Sequence, residues 1–123
     1  MPYPRWLARV NRRLFNPGVV RRGDKPVVRH VGRRTGATYL TPMDAHPTTD
    51  GFVLVVRYGS RSDWVRNILV AGEAGLVIGG REHAVVAPRL VTQQEAADRL
   101  LPDVDPGRDF FKAEHYLLVD HPT

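Results

Sequence analysis

A small, mainly antiparallel α+β barrel with a few peripheral helices is the fold this sequence predicts. Three observations carry the prediction. Apolar, β-branched runs recur along the chain and are joined by connections mostly too short for the crossovers that a parallel sheet requires. Helical periodicity appears in only a few places, each bounded by a cap or a breaker. A length of 123 residues is enough to close one hydrophobic core but not two, so the chain reads as a single domain over residues 1–123.

The first element is expected over Pro4–Phe15, where Trp6, Leu7, Val10 and Leu14 share a helical face and Arg5, Arg9, Asn11, Arg12 and Arg13 lie mostly on the other. Such a basic amphipathic helix either packs on the domain with its arginines in water or makes peripheral contact with an anionic membrane. Asn16-Pro17-Gly18 ends it. Val27-Val28-Arg29-His30-Val31 reads as a strand, and Gly32–Gly36 is its turn into a second strand over Thr38–Asp44. Pro42 cannot donate to a ladder, so an edge, a bulge or a ligand is expected beside it. The almost continuous apolar run Phe52–Tyr58 is the clearest buried strand.

A helix follows through Ala71, with Ser62 or Asp63 as N-cap, Trp64, Ile68 and Leu69 at helical spacing, and Gly72 as the stop. Gly75–Ile78 and Glu82–Leu90 flank Gly79-Gly80-Arg81 and read as a hairpin. Thr92-Gln93-Gln94-Glu95 is a capping box that opens a short helix running towards Leu101, before the breaker Pro102. Leu117-Leu118-Val119 is the last strand.

Composition narrows the function. The formal charge is +5, carried almost wholly by arginine, whose planar fork of donors matches phosphate and carboxylate. Cysteine is absent, which excludes thiolate catalysis and disulfides. His30, His46, His83, His115 and His121 are too scattered for a His-x-x-x-His metal site, so no metal is expected. Ser60 and Ser62 lie in no hydrolase context and a Gly-x-Ser-x-Gly elbow is missing, so no catalytic acid, base or nucleophile is assigned. That silence suits a redox enzyme whose cofactor carries the chemistry. No apolar run is long enough to span a bilayer and the N-terminus has no signal-peptide core, so a cytoplasmic location, with membrane association through the first helix left open, is the expectation.

Binding residues cluster between Val31 and Gly72. Arg33 and Arg34, with the Thr35 hydroxyl and the backbone N–H groups of Thr35 and Gly36, form a compact donor cluster in one turn. Arg57-Tyr58-Gly59-Ser60 leads from a buried strand into a helix start, where free amides and the positive end of the helix dipole suit an anion or an electron-rich ring. Trp64 is either core or one wall of a ligand slot, and Asn67, one turn on, is positioned to fix this loop by bonding its backbone. Tyr58, Phe110, Phe111 and Tyr116 are the aromatic candidates for a substrate wall.

Taken in order, Gly32-Arg33-Arg34-Thr35-Gly36, Thr41-Pro42, Tyr58-Gly59, and Trp64 with Asn67 resemble the deazaflavin-dependent nitroreductase family, the F420-binding branch of the split β-barrel flavoproteins. The segment Tyr58–Asp63 is shorter than the Gly-rich stretch of many members. The resemblance implies a split β-barrel, phosphate contacts from Arg33, Arg34, Thr35 and Gly36, a ring-facing strand position at Thr41 and Pro42, and Tyr39 among the cofactor-binding residues. It also implies an F420H2-dependent reductase passing a hydride to a flat electrophile such as a quinone or nitroaromatic, with F420 as cofactor and FMN as the alternative. Two rivals stand beside it: a carrier for FMN, F420, a tetrapyrrole or a lipid, and a basic nucleic-acid binder. The last ranks third, because the aromatic residues are not interleaved with arginine as base stacking requires, so no nucleic-acid partner is expected. A homodimer is left open.

Overall fold

The structure is a computed structural model and describes residues 25–57 and 63–123. The basic helix expected over Pro4–Phe15 lies outside the described residues, as do Tyr58, Gly59, Ser60 and Ser62. The elements run β1 (Val27–Val31), β2 (Thr38–Pro42), β3 (Ala45–Pro47), β4 (Gly51–Val56), α1 (Asp63–Ala71), β5 (Glu73–Ile78), β6 (Arg81–Val91), α2 (Gln93–Arg99), a 3-10 helix (Arg108–Lys112) and β7 (His115–Asp120). All seven strands among the described residues join one antiparallel sheet in the order β2-β1-β5-β6-β7-β4-β3, so the α+β, antiparallel class is as expected.

The ladder is not a closed barrel, however, because β2 and β3 are its two edges and do not pair with each other. The single strand expected over Thr38–Asp44 instead breaks at Pro42, which has no N–H to continue the ladder. Met43 N–H still donates to Pro26 O at 3.0 Å on the β1 side, while Asp44 O accepts from Val55 N–H at 2.9 Å on the β4 side. Within two residues the chain therefore changes partners, and the two edges are bridged covalently. A second bent strand, β6, pairs with β5 through Arg81–Val86 and with β7 through Val86–Val91. Its register shifts between Val86 and Arg89, where Ala87 takes φ 55° ahead of Pro88, as in a bulge that re-aims a strand.

Both faces of the sheet are packed. Val28, Leu54, Leu76, Val85 and Leu117, from five different strands, meet Val65 and Ile68 of α1 in one cluster. Val53, Val55, Tyr116 and Leu118 meet Ala96 of α2 and Phe110 of the 3-10 helix in another. Burial on both faces explains why β4 is continuously apolar rather than alternating. Gly72, at φ 76°, ends α1 with its N–H on Ile68 O at 2.8 Å. The Gly79-Gly80 turn, with both φ positive, closes the β5–β6 hairpin, and Thr92 caps α2 by accepting from Glu95 N–H at 3.1 Å. α2 stops at Arg99, short of Leu101, since Leu100 is already extended (ψ 144°) and bridges to Thr48.

Candidate active site

The β1–β2 register sets His30 opposite Tyr39 and Val28 opposite Thr41. Because side chains alternate along a strand, His30, Tyr39 and Thr41 share the face on which Val28 meets α1. The turn between the strands is tight: Gly32 N–H donates to Ala37 O at 2.7 Å and Gly36 N–H to Gly32 O at 2.9 Å, with Gly36 at φ 74°. The first turns of α1 lie alongside. Together these elements enclose a cleft of about 460 Å³, whose lining includes Arg34 and Thr35 at the turn, Tyr39, Leu40 and Trp64 as apolar walls, and Thr41.

A chain of hydrogen bonds runs along its base. Thr41 Oγ1 lies 2.9 Å from His30 Nε2, and His30 Nδ1 lies 3.0 Å from Asn67 Nδ2. Asn67 Oδ1 accepts from Arg33 N–H at 3.1 Å and from Arg33 Nη1 at 2.8 Å, and Arg33 Nη2 reaches Asp63 Oδ1 at 3.2 Å. His30 and Asn67 are 3% and 4% exposed, so the middle of this polar chain is buried and its two members satisfy each other. The Tyr39 ring stacks on the imidazole at 5.8 Å between centroids.

The expected site residues divide. Arg33, Arg34, Thr35, Tyr39, Thr41, Trp64 and Asn67 all line the cleft. Gly36 and Pro42 do not, and the N–H of Gly36, expected as a free donor, is spent inside its own turn. Arg57 also lies off the lining, with its guanidinium hydrogen-bonded to the Asp44 carboxylate, which also pairs with Lys25 at 3.7 Å. Tyr58, Gly59 and Ser60 lie outside the described residues. Phe110 and Tyr116 are core, with the Tyr116 hydroxyl donating to Phe110 O, and Phe111 is exposed away from the cleft.

Asn67 does fix a backbone, but that of the Arg33 turn rather than of the loop before α1. Trp64 serves both readings: it is partly buried against the first core cluster and lines the cleft. His30 and Asp63 were not read as site residues. The available signal for His30 was its place two residues from Val28 in a strand followed by the arginine turn, which puts it on the core-facing side at the cleft end.

Burial pushes the His30 imidazole down to about 4, against the weaker upward pull of the Asp63 charge. In the unfolded chain the same ring takes up its proton near 6.5. Stability is therefore unaffected by this ring above about pH 6.5, falls as the pH drops from there towards 4, and is lower by up to about 3 kcal/mol at the end of that window. Urea unfolding between pH 7 and 4 should show a shallower loss in His30→Gln, which has no proton to take up, than in the wild type. Equal slopes would mean that other groups carry the whole acid dependence.

Among the described residues no group of three or more His, Asp or Glu is arranged to hold a metal, and no helix is long and apolar enough to cross a membrane. The cleft sets the arginine turn at one end against Tyr39, Leu40 and Trp64 at the other. No curated protein matches the chain. The sequence model of the F420H(2)-dependent quinone reductases matches residues 7–105, which include every strand and helix around the cleft. The chain belongs to the F420H(2)-dependent quinone reductase family.

Proposed function

We propose that the protein is an F420H2-dependent oxidoreductase whose β1–β2–α1 cleft holds the reduced deazaflavin and whose acceptor is a quinone, with nitroaromatics as a second class of flat electrophile. One observation carries the assignment to this cleft: a cationic, donor-rich turn at one end meets apolar and aromatic walls at the other. This polarity fits a ligand with an anionic tail and a flat head. The exposed Arg34 guanidinium has no ion-pair partner among the described residues and is free to meet a phosphate or carboxylate. The Thr35 hydroxyl accepts from Ala37 N–H at 3.2 Å, which leaves its proton for the same anion.

Bound F420H2 would supply the hydride, and the chain supplies position and dryness. Arg34 and Thr35 would hold the tail, Trp64 and Tyr39 the ring, and Leu40 the rim where an apolar acceptor enters. Arg33 acts indirectly, since its fork is committed to Asn67 and Asp63 and sets the shape of the turn. The family match speaks for F420, and nothing speaks for FMN.

Titration with F420 and FMN, followed through Trp fluorescence in a Trp6→Phe background, tests the reading. F420 should bind more tightly, with an advantage that shrinks as salt rises, because exposed charge pairs are screened. Arg34→Ala should weaken F420 by about tenfold at low salt and leave the melting temperature unchanged. Equal affinity for the two cofactors at low salt would count against the assignment.

A further inference from the structure

Beyond the expected site residues, the buried hydrogen-bond chain has a direction that can be worked out atom by atom. Both groups that meet Asn67 Oδ1, the Arg33 backbone N–H and the Arg33 guanidinium, are donors only. The amide is therefore oriented by its partners, and its NH2 faces His30 Nδ1 at 3.0 Å. An NH2 can only donate, so Nδ1 must offer its lone pair, and the proton of the neutral imidazole sits on Nε2. From there it is donated to Thr41 Oγ1 at 2.9 Å. The Thr41 side chain makes no other hydrogen bond among the described residues, and Thr41 lines the cleft. Its own hydroxyl proton is then left for whatever the cleft contains.

Doubly protonating the ring would set an N–H of His30 against the NH2 of Asn67, which adds to the burial cost of the charged form. Among the described residues, the charged groups on that side are Asp63 and Arg33, already paired with each other at 3.2 Å, and the titratable group packed on the ring is Tyr39. None of them supplies an acceptor to Nδ1.

We propose that His30 is a positioning residue that fixes the Thr41 hydroxyl as a hydrogen-bond donor into the cleft, selecting an occupant that presents a carbonyl oxygen at that point. The identity of the occupant rests on the proposed function, in which both the cofactor ring and a quinone acceptor carry such an oxygen. The orientation of the chain does not rest on it.

Long-range 15N correlation spectra of the wild type should show His30 as the Nε2–H tautomer at pH 7. Binding and kinetics then separate the two sources of the carbonyl, with F420 and menadione as probes. If the cofactor accepts the bond, Thr41→Val should raise the F420 dissociation constant about tenfold, while Thr41→Ser, which keeps the hydroxyl, should stay within about threefold of the wild type. If the acceptor does, the KM for menadione should rise by a similar factor with F420 affinity unchanged. His30→Leu, which cannot donate to Thr41, should reproduce the Thr41→Val effect, and His30→Gln, whose amide can donate from nearly the same place, should restore most of it.

A His30 Nδ1–H tautomer overturns the inference, and so does a Thr41→Val variant unchanged in both constants. Failure of the wild type to bind F420 sinks the proposed function separately, in which case the tautomer alone decides for or against the chain orientation.

Discussion

Asn67→Ala is expected to lower folding stability by about 3 kcal/mol and to weaken F420 binding by at least about tenfold. The first figure follows from what the amide satisfies. Its removal takes the Asn67 partner from the Arg33 N–H, from Arg33 Nη1 and from His30 Nδ1 in one step, at a position only 4% exposed. Each buried polar group left without a partner costs about 1–3 kcal/mol, and water entering the new space recovers only part of that. The second figure follows from geometry: without Asn67, the exposed Asp63 carboxylate is the one hydrogen-bond partner among the described residues that still ties the arginine turn to α1.

Asn67→Asp separates the two halves of the effect. An aspartate still accepts from Arg33, so the turn should hold and the stability loss should be smaller. It cannot donate to His30, and its charge favours a protonated ring, so the imidazole should titrate well above about 4. Urea unfolding, F420 titration and an NMR titration of His30 on the two variants check this. An Asn67→Ala protein as stable as the wild type would show that the chain of hydrogen bonds is incidental.

Much of this site was legible in the sequence, and particular residues show why the rest was not. Arg33, Arg34, Thr35 and Tyr39 come to the cleft because a short turn brings its two strands together whatever the rest of the fold does. Trp64 and Asn67 share one helix, so their relation to each other was local too; their meeting with the β1–β2 turn was not. Asn67 was therefore assigned to the nearest backbone in sequence, whereas it bonds to one thirty-four positions away. Arg57 reads as part of an anion-binding helix start because charge is visible in a sequence and partners are not. Asp44, which engages it, lies across the β3–β4 pairing, and β3 itself was invisible: three residues ending in proline carry no period.

Where the sheet stays open was hidden for a related reason. Pro42 announced an edge, and it is one, but only the ladder reveals that the strand changes partner there instead of continuing. Strands and helices with strong local signals, such as β4, α1 and the Gly79-Gly80 hairpin, appear within a residue or two of where they were expected. His30 is the instructive omission. One histidine in a strand says little, and its meaning arises only from contacts with Thr41 and Asn67, eleven and thirty-seven positions away.

The largest loss of stability is expected from Glu82→Ala, on the order of 3–5 kcal/mol. Arg29 is adjacent to His30 in β1 but points to the other face of the sheet, where its side chain is 1% exposed. Its register partner on β5 is Gly75, which has no side chain to stand between β1 and β6, and the guanidinium hydrogen-bonds to the Glu82 carboxylate two strands away. A pair this deeply buried adds little net stability, since the attraction mainly offsets the desolvation of both charges. Removing one member is different, because the remaining charge keeps its desolvation cost and loses a buried part of its compensation.

Arg29→Met combined with Glu82→Leu should therefore recover most of what Glu82→Ala loses, as apolar residues of similar length need no compensation. The site is linked to this outcome through β1: a strand strained by the loss of the Glu82 contact to Arg29 also displaces His30 and the turn that follows it. F420 affinity, measured well below the melting temperature, should fall in Glu82→Ala and return in the double variant. A double variant less stable than Glu82→Ala would mean that the pair contributes more than its desolvation, and that β1 is held by charge rather than by packing.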